Sequence, residues 1–398
     1  MLKKIVGFFL SWKLLVFLLA LLATLIIPLN WGETYISPFH PSNVPYNYQI
    51  DPPYYIWIWA NFDGAQYLSI ARSGYLDFQY GFFPLYPAFI TFLHNLLQIR
   101  YIFAGEIISS GCFLLALFFI WKLLKIDDKK NLLSLFFLII ILFPTSFFYG
   151  AVYNDSLFFL LATLSIYFAR RQSWIPSSIS AAIATLTRLN GLALFFLIFF
   201  EYILSAKKNS SGWKFNQLFS SLTSSLKFKN LLKSKIYFVI LIPLAFVGYL
   251  VFVQIDSGSW TSLFTSMSIW NQDKPIFPLQ VFWRYIKIIF TASPHYLNYW
   301  IAISELFFVI LYILLLFYSF KKIRFSYWIF FLISVLIPAF TGTFQGMPRY
   351  GLHLYPFFLT LTMFLQDQSL IKKIIYFVVS IVLLFLYIGL FTRGHFVA

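Results

Sequence analysis

Acidic side chains are scarce in this chain: 13 Asp and Glu stand against 29 Lys and Arg in 398 residues. Charged residues of both signs reach only 11%, about half of what a soluble domain carries. That little polar surface cannot cover a globule, so a water-soluble fold is excluded. Disorder is excluded by 61% hydrophobic residues and a mean hydropathy of +0.81. Cysteine is nearly absent. Cys112 alone permits no intrachain disulfide and no thiolate metal cluster. The five histidines, His40, His94, His295, His353 and His395, are dispersed, and none pairs at metal-ligand spacing within a helix. There is no P-loop and no GxGxxG fingerprint. No internal repeat supports an inverted-repeat transporter. Apolar residues come in long unbroken runs rather than in alternation, which does not fit a β-barrel.

What is present is a series of apolar runs separated by basic loops. This is the pattern of an all-α polytopic membrane protein, one integral-membrane domain over residues 1–398. The net charge of +16 would suggest nucleic acid in a soluble protein. Here it reads as topology, because cytoplasmic loops collect Lys and Arg. Lys3, Lys4 and nearby Lys13 place the N-terminus inside. A first helix over about 7–29 is read as uncleaved and leads outward. A long first extracytoplasmic loop, 30–98, follows, rich in aromatics and in prolines at 38, 41, 45, 52 and 53. Its last run, Pro84 to Leu97, is short for a span and reads as interfacial. Further spans are expected at 101–121, 132–149 and 156–169. The run 175–204 is flanked by basic loops on both sides, so it reads as a hairpin of two short helices. Its break falls at Thr187-Arg188-Leu189-Asn190-Gly191. A basic cytoplasmic loop, 205–235, lies against anionic lipid. Spans at 236–255, 299–320, 325–341, 351–366 and 374–391 complete the set, with an interfacial amphipathic helix at 283–289. About eleven spans result, with the C-terminus outside and 21 of the 29 basic residues inside.

This threading puts four ionisable groups at the outer face: Asp63, Asp155, Arg188 and Arg349. A charge near the apolar bilayer costs about 2.5–3.5 kcal/mol at a helix centre, so each is a candidate site residue. Each also has a plain reading. Asp63-Gly-Ala-Gln66 fits a capping box, with an apolar stripe at Tyr67, Ile70 and Ala71 and Gly74 as the stop. Asp155 fits an N-cap for a helix from Ser156. Arg188 could snorkel, and Arg349 could meet lipid headgroups. Asn154-Asp-Ser matches a glycosylation acceptor but lies too close to a helix to serve as one. Trp57 and Trp59 fit an interfacial belt or a platform for a sugar ring.

The stretch Asn61-Phe-Asp63-Gly-Ala-Gln-Tyr67 through Gly74-Tyr75, then Phe82-Phe-Pro-Leu-Tyr-Pro87, resembles the signature of PIG-V type mannosyltransferases. These enzymes add the second mannose in GPI-anchor synthesis and have prokaryotic relatives. They belong to the GT-C class of membrane glycosyltransferases. Three further elements are similar to the family: Phe143-Pro144 through Tyr153-Asn-Asp155-Ser-Leu-Phe158, Ala184 through Arg188-Leu-Asn190-Gly191, and Pro348-Arg349-Tyr350 followed by Pro356. Position 155 is Asp where the family usually has Glu, and position 61 is Asn where a basic residue is common. The acid often found just before Phe-Phe-Pro is absent at that spacing, with Asp77 close by.

The resemblance implies a GT-C type fold and transfer of a sugar, with mannose first. The donor would be a polyprenyl-phosphate sugar, the transfer inverting, and the site extracytoplasmic or lumenal. It implies Asp63 as catalytic base, and Arg188 with Arg349 as phosphate partners. Asp155, Asn154, Gln66, Asn190 and Tyr67 would orient substrate hydroxyls. The acceptor is a glycolipid, a polymer or a protein, and no nucleic acid is involved. The leaving group is a lipid phosphate, so the chemistry requires no cofactor or metal. A divalent cation shared by Asp63 and Asp155 is the minor alternative. The membrane is the plasma membrane in a bacterium and the ER in a eukaryote. The competing reading is a transporter or flippase of a lipid-linked sugar.

Overall fold

The computed structural model describes residues 2–36, 53–205, 234–270, 272 and 274–397. The prolines at 38, 41, 45 and 52, His40 and nearly all of the basic loop 205–235 lie outside these residues. Among the described residues every regular element is helical. In chain order the α-helices are α1 Leu2–Ala23, α2 Tyr54–Trp57, α3 Asp63–Ser73, α4 Leu85–Leu97, α5 Tyr101–Ile126 and α6 Leu133–Leu142. Then come α7 Asp155–Arg170, α8 Trp174–Thr185, α9 Ala193–Ser205, α10 Leu241–Ser257, α11 Ser262–Ser266 and α12 Pro278–Thr291. The last are α13 Leu297–Ser319, α14 Phe325–Ala339, α15 Met347–Tyr350, α16 Tyr355–Gln366 and α17 Leu370–Thr392.

Among the described residues five segments are long and apolar enough to cross a bilayer: α1, α5, Ile236–Ser257, α13 and α17. At 1.5 Å per residue, 22 residues reach about 33 Å, the thickness of the hydrocarbon core. Their outer faces leave Leu10, Leu14, Val247, Leu314 and Val378 exposed, as lipid-facing positions require. The protein is an integral membrane protein.

Helix α7 sits inside the bundle, packed chiefly on α5 and α8. Nearly its whole circumference is buried. Small side chains allow this. Ser177 and Ser165 meet across α7 and α8, with the Ser177 hydroxyl donating to the Ser165 carbonyl at 2.8 Å. Close approach through small and hydroxyl residues is how helices associate where no water drives them together.

Several expected boundaries move. The first helix covers 2–23 rather than 7–29. The chain turns at Thr24, whose hydroxyl bonds the Leu21 carbonyl, and Pro28 prevents the helix from resuming. The expected span 132–149 is helical only to Leu142. Phe143 is extended ahead of Pro144, and 143–154 then folds as short turns, almost all of it buried. Irregular backbone at this depth is tolerated only inside protein. The hairpin at 175–204 breaks as α8, a 3-10 turn at Leu189–Leu192, and α9. A Cβ on Gly191 would collide with the Thr185 backbone, so the break needs glycine. Trp57 and Trp59 are 4% and 6% exposed, so they form neither a belt nor a sugar platform.

A second polar cluster lies at the far end of α7, about 22 Å along the helix from Asp155. Arg170 pairs with Asp127 at 2.9 Å and with Glu201 at 3.0 Å, and Arg324 reaches Glu201 at 2.8 Å. The hydroxyls of Tyr327 and Tyr355 donate to Asp127. Arg170 and Arg324, expected as loop charges flanking the spans, therefore tie α5, α7, α9, α14 and α16 together.

Candidate active site

Asp63 opens α3, but its carboxylate does not cap that helix. Instead Arg349 Nη1 donates to Asp63 Oδ2 at 2.8 Å. The capping reading fails for a geometric reason. The Gly64 amide bonds the Asn61 carbonyl at 3.2 Å, closing a turn with Phe62 at φ 56°, ψ −118°. These angles belong to the first central position of a type II′ turn, where glycine is preferred. Phenylalanine there costs on the order of 1–3 kcal/mol. The turn swings the Asp63 side chain away from the helix axis, toward Arg349.

Asp155 likewise starts α7 without capping it. Its carboxylate is fully buried. Arg188 Nη1 donates to Asp155 Oδ1 at 3.0 Å, and the Nε of Arg349 lies 3.7 Å from the same oxygen. His353 Nε2 stands 2.6 Å from it as well. An ionised carboxylate only accepts, so the His353 Nε2–H donates to Asp155.

Both arginines are held by aromatic faces. The Arg188 guanidinium lies 5.3 Å from the Tyr350 ring centre. That of Arg349 lies 5.2 Å from both Phe148 and Tyr153, supplied by the buried 143–154 segment. Neither arginine snorkels or meets headgroups: the side chains are each 11% exposed. Burial alone would weaken the Arg349 charge, but Asp155 and Asp63 outweigh it and hold the group protonated.

These groups surround a cavity of about 160 Å³. Asp63, Tyr67, Asn154, Arg188, Asn190 and Arg349 all line it. Asp155 stands behind, as the shared anchor of the two arginines. Asn154 accepts from Arg188 at 3.0 Å and donates to the Thr187 carbonyl at 2.7 Å. Its side chain is too buried to be a glycosylation acceptor. Gln66 is not among the lining residues; it accepts a hydrogen bond from Gln79. The lining also includes the apolar Phe82, Phe83, Trp270, Ile337 and Pro338 and the polar Gln272, Thr341 and Gln345.

A family model described as mannosyltransferase (PIG-V) matches residues 2–256. The chain belongs to the PIG-V mannosyltransferase family. The match covers well over half of the chain and includes Asp63, Asp155 and Arg188. Comparison with curated proteins and with solved structures found no match. In this PIG-V family member Arg349, which lines the cavity, and His353, which stands behind it on Asp155, come from outside the matched stretch. Nothing in the sequence singles His353 out from the other four histidines. A single histidine in an apolar run carries no spacing signal, and its partner Asp155 is 198 residues away. Among the described residues no three His, Cys, Asp or Glu side chains cluster to hold a metal. Between Asp63 and Asp155 stands the Arg349 guanidinium, where a shared divalent ion would have to sit.

Proposed function

We propose that the protein transfers a mannosyl unit from a polyprenyl-phosphate mannose to an acceptor hydroxyl, with inversion, at the extracytoplasmic end of the bundle. The observation that carries this reading is the Asp63–Arg349 pair on the cavity wall, beside Arg188. One carboxylate and two guanidiniums are what a phosphate-leaving displacement needs. Asp63 takes the proton of the acceptor hydroxyl as its oxygen attacks the anomeric carbon. The bond from that carbon to the phosphate oxygen breaks on the opposite face, and a single displacement inverts the centre. Negative charge thus moves from Asp63 to the departing phosphate. Arg349 touches the first and, with Arg188, is placed to receive the second. Asp155, itself held by His353, anchors both arginines. No step calls for a metal or other cofactor.

The apolar lining residues Phe82, Phe83, Trp270, Ile337 and Pro338 suit contact with the start of an isoprenoid tail. Sidedness is supported by charge. Lys122, Lys125, Lys129, Lys130, Arg170, Arg171, Lys321, Lys322, Lys372 and Lys373 all lie at helix ends opposite the cavity, the cytoplasmic side by the positive-inside rule. The acceptor is a glycolipid, a polymer or a protein.

The test is transfer of label from radiolabelled polyprenyl-phosphate mannose in membranes carrying the protein. Asp63→Asn at matched expression should lower turnover by about 10²–10⁴-fold, the usual worth of a general base. Undiminished turnover in that variant removes Asp63 as the base. Absence of transfer by the unaltered protein overturns the donor assignment, and transport of a lipid-linked sugar becomes the reading to measure.

A further inference from the structure

The strained turn that aims Asp63 is gripped from the other end of the chain. Beyond α17, residues 393–397 fold back on the segment that follows α1. The Asn30 amide donates to the Arg393 carbonyl at 2.8 Å. Arg393 Nε donates to the Ile27 carbonyl at 2.9 Å, and its Nη1 to the Tyr54 hydroxyl at 3.0 Å. His395 Nε2 reaches the Pro28 carbonyl at 3.1 Å. Gly394 has φ +76°, and a Cβ there would lie 2.5 Å from the Asn30 carbonyl oxygen, so only glycine passes. Val397 is buried. This anchored segment delivers Phe396 to the cavity wall. There its ring meets Phe62 edge-on at 5.6 Å. Phe391, at the end of α17, packs on Phe62 from 5.8 Å, and its carbonyl accepts from Asn61 Nδ2 at 2.9 Å. The hydroxyl of Tyr153 donates to the Asn61 carbonyl at 2.8 Å.

We propose that residues 393–397 are a strap that holds the Asn61–Gly64 turn, with Phe396 a positioning residue that keeps Phe62 in its positive-φ conformation and so aims Asp63. Backbone strain persists only where the surroundings over-determine it, and such strain gathers at functional sites. Here the surroundings are the strap and the end of α17. The strap lies outside the family-matched residues, and the inference rests on the reading of Asp63 as base.

The test compares turnover and donor KM, with polyprenyl-phosphate mannose as the probe, in the full-length protein at matched levels. Phe396→Ala should lower kcat by about 10–100-fold, as a misplacement near 1 Å does, with donor KM changed less than about twofold. Phe396→Leu, which keeps apolar bulk, should recover most of the loss. At position 62, glycine accepts the positive φ without a clamp and alanine does not. Phe62→Ala should therefore lose far more kcat than Phe62→Gly. Phe396→Ala added to Phe62→Gly should cost little more, because its target is gone. Equal activity of Phe62→Ala and Phe62→Gly overturns the proposal, as does a Phe396→Ala effect confined to KM. So does full additivity of Phe396→Ala with Phe62→Gly. If Phe396→Ala does not fold, the position-62 pair decides alone. Asp63→Asn is run beside them. An active Asp63→Asn removes the base reading, while an inactive one with indifferent position-62 variants removes only the strap.

Discussion

His353 has no direct contact with the cavity, yet both arginines of the site depend on the carboxylate it holds. His353→Gln, which keeps a donor toward that carboxylate, should preserve more folded protein than His353→Ala. Monodisperse yield in detergent measures this, and equal yields would show that the contact with Asp155 does not matter. Asp155→Ala should be harsher, since it leaves Arg188 and His353 without their shared acceptor. Folded yield should drop along with transfer, whereas Asp63→Asn should spare yield.

Among the elements, the α8–α9 hairpin and the 143–154 segment teach opposite lessons. The hairpin was readable because two basic flanks on one run of 30 residues admit no single span, and the polar break at Arg188 marked its turn. Folding that turn back over Thr185 is what leaves no room for a side chain at Gly191. Gly191→Ala should abolish most folded protein, measured as monodisperse yield, and wild-type yield would refute that packing. The 143–154 segment was not readable. Its Phe, Tyr and Ala residues look like more span, and the only local warning is Pro144. What turns it inward is contact: Phe148 and Tyr153 stack on Arg349, which comes from some 200 residues later. The site was legible to the same extent. Asp63, Asp155, Arg188 and Arg349 stand out because charge is costly in such a chain. Their pairing, and the failure of both aspartates to cap, required the fold. The cluster at the far end of α7 was hidden for the same reason, since Arg170 and Arg324 look like ordinary flanking charges. Breaking it with Glu201→Gln leaves Arg170 and Arg324, 14% and 25% exposed, short of an anionic partner. The loss should stay below the about 3–5 kcal/mol of a fully buried pair, read as a lower unfolding temperature with the cavity's chemistry unchanged.

For the whole molecule, the two ends of the bundle differ in what they expose. Trp260, beside the cavity end, is 52% exposed, and Lys372 is exposed at the opposite end. With Cys112→Ser as background, a membrane-impermeant maleimide should label Trp260→Cys on intact cells, and Lys372→Cys only after the membrane is opened. The reverse pattern would place the cavity on the cytoplasmic side.

The hydrogen bond from Asn61 to the Phe391 carbonyl spans 330 residues of chain. Ribosomes add about 5–20 residues per second, so roughly 15–70 s separate the synthesis of its two partners. Throughout that interval the nascent polypeptide already carries Asp63 in the membrane but lacks the helix that aims it. The Asn61–Gly64 turn can therefore take its final shape only after α17 has been made.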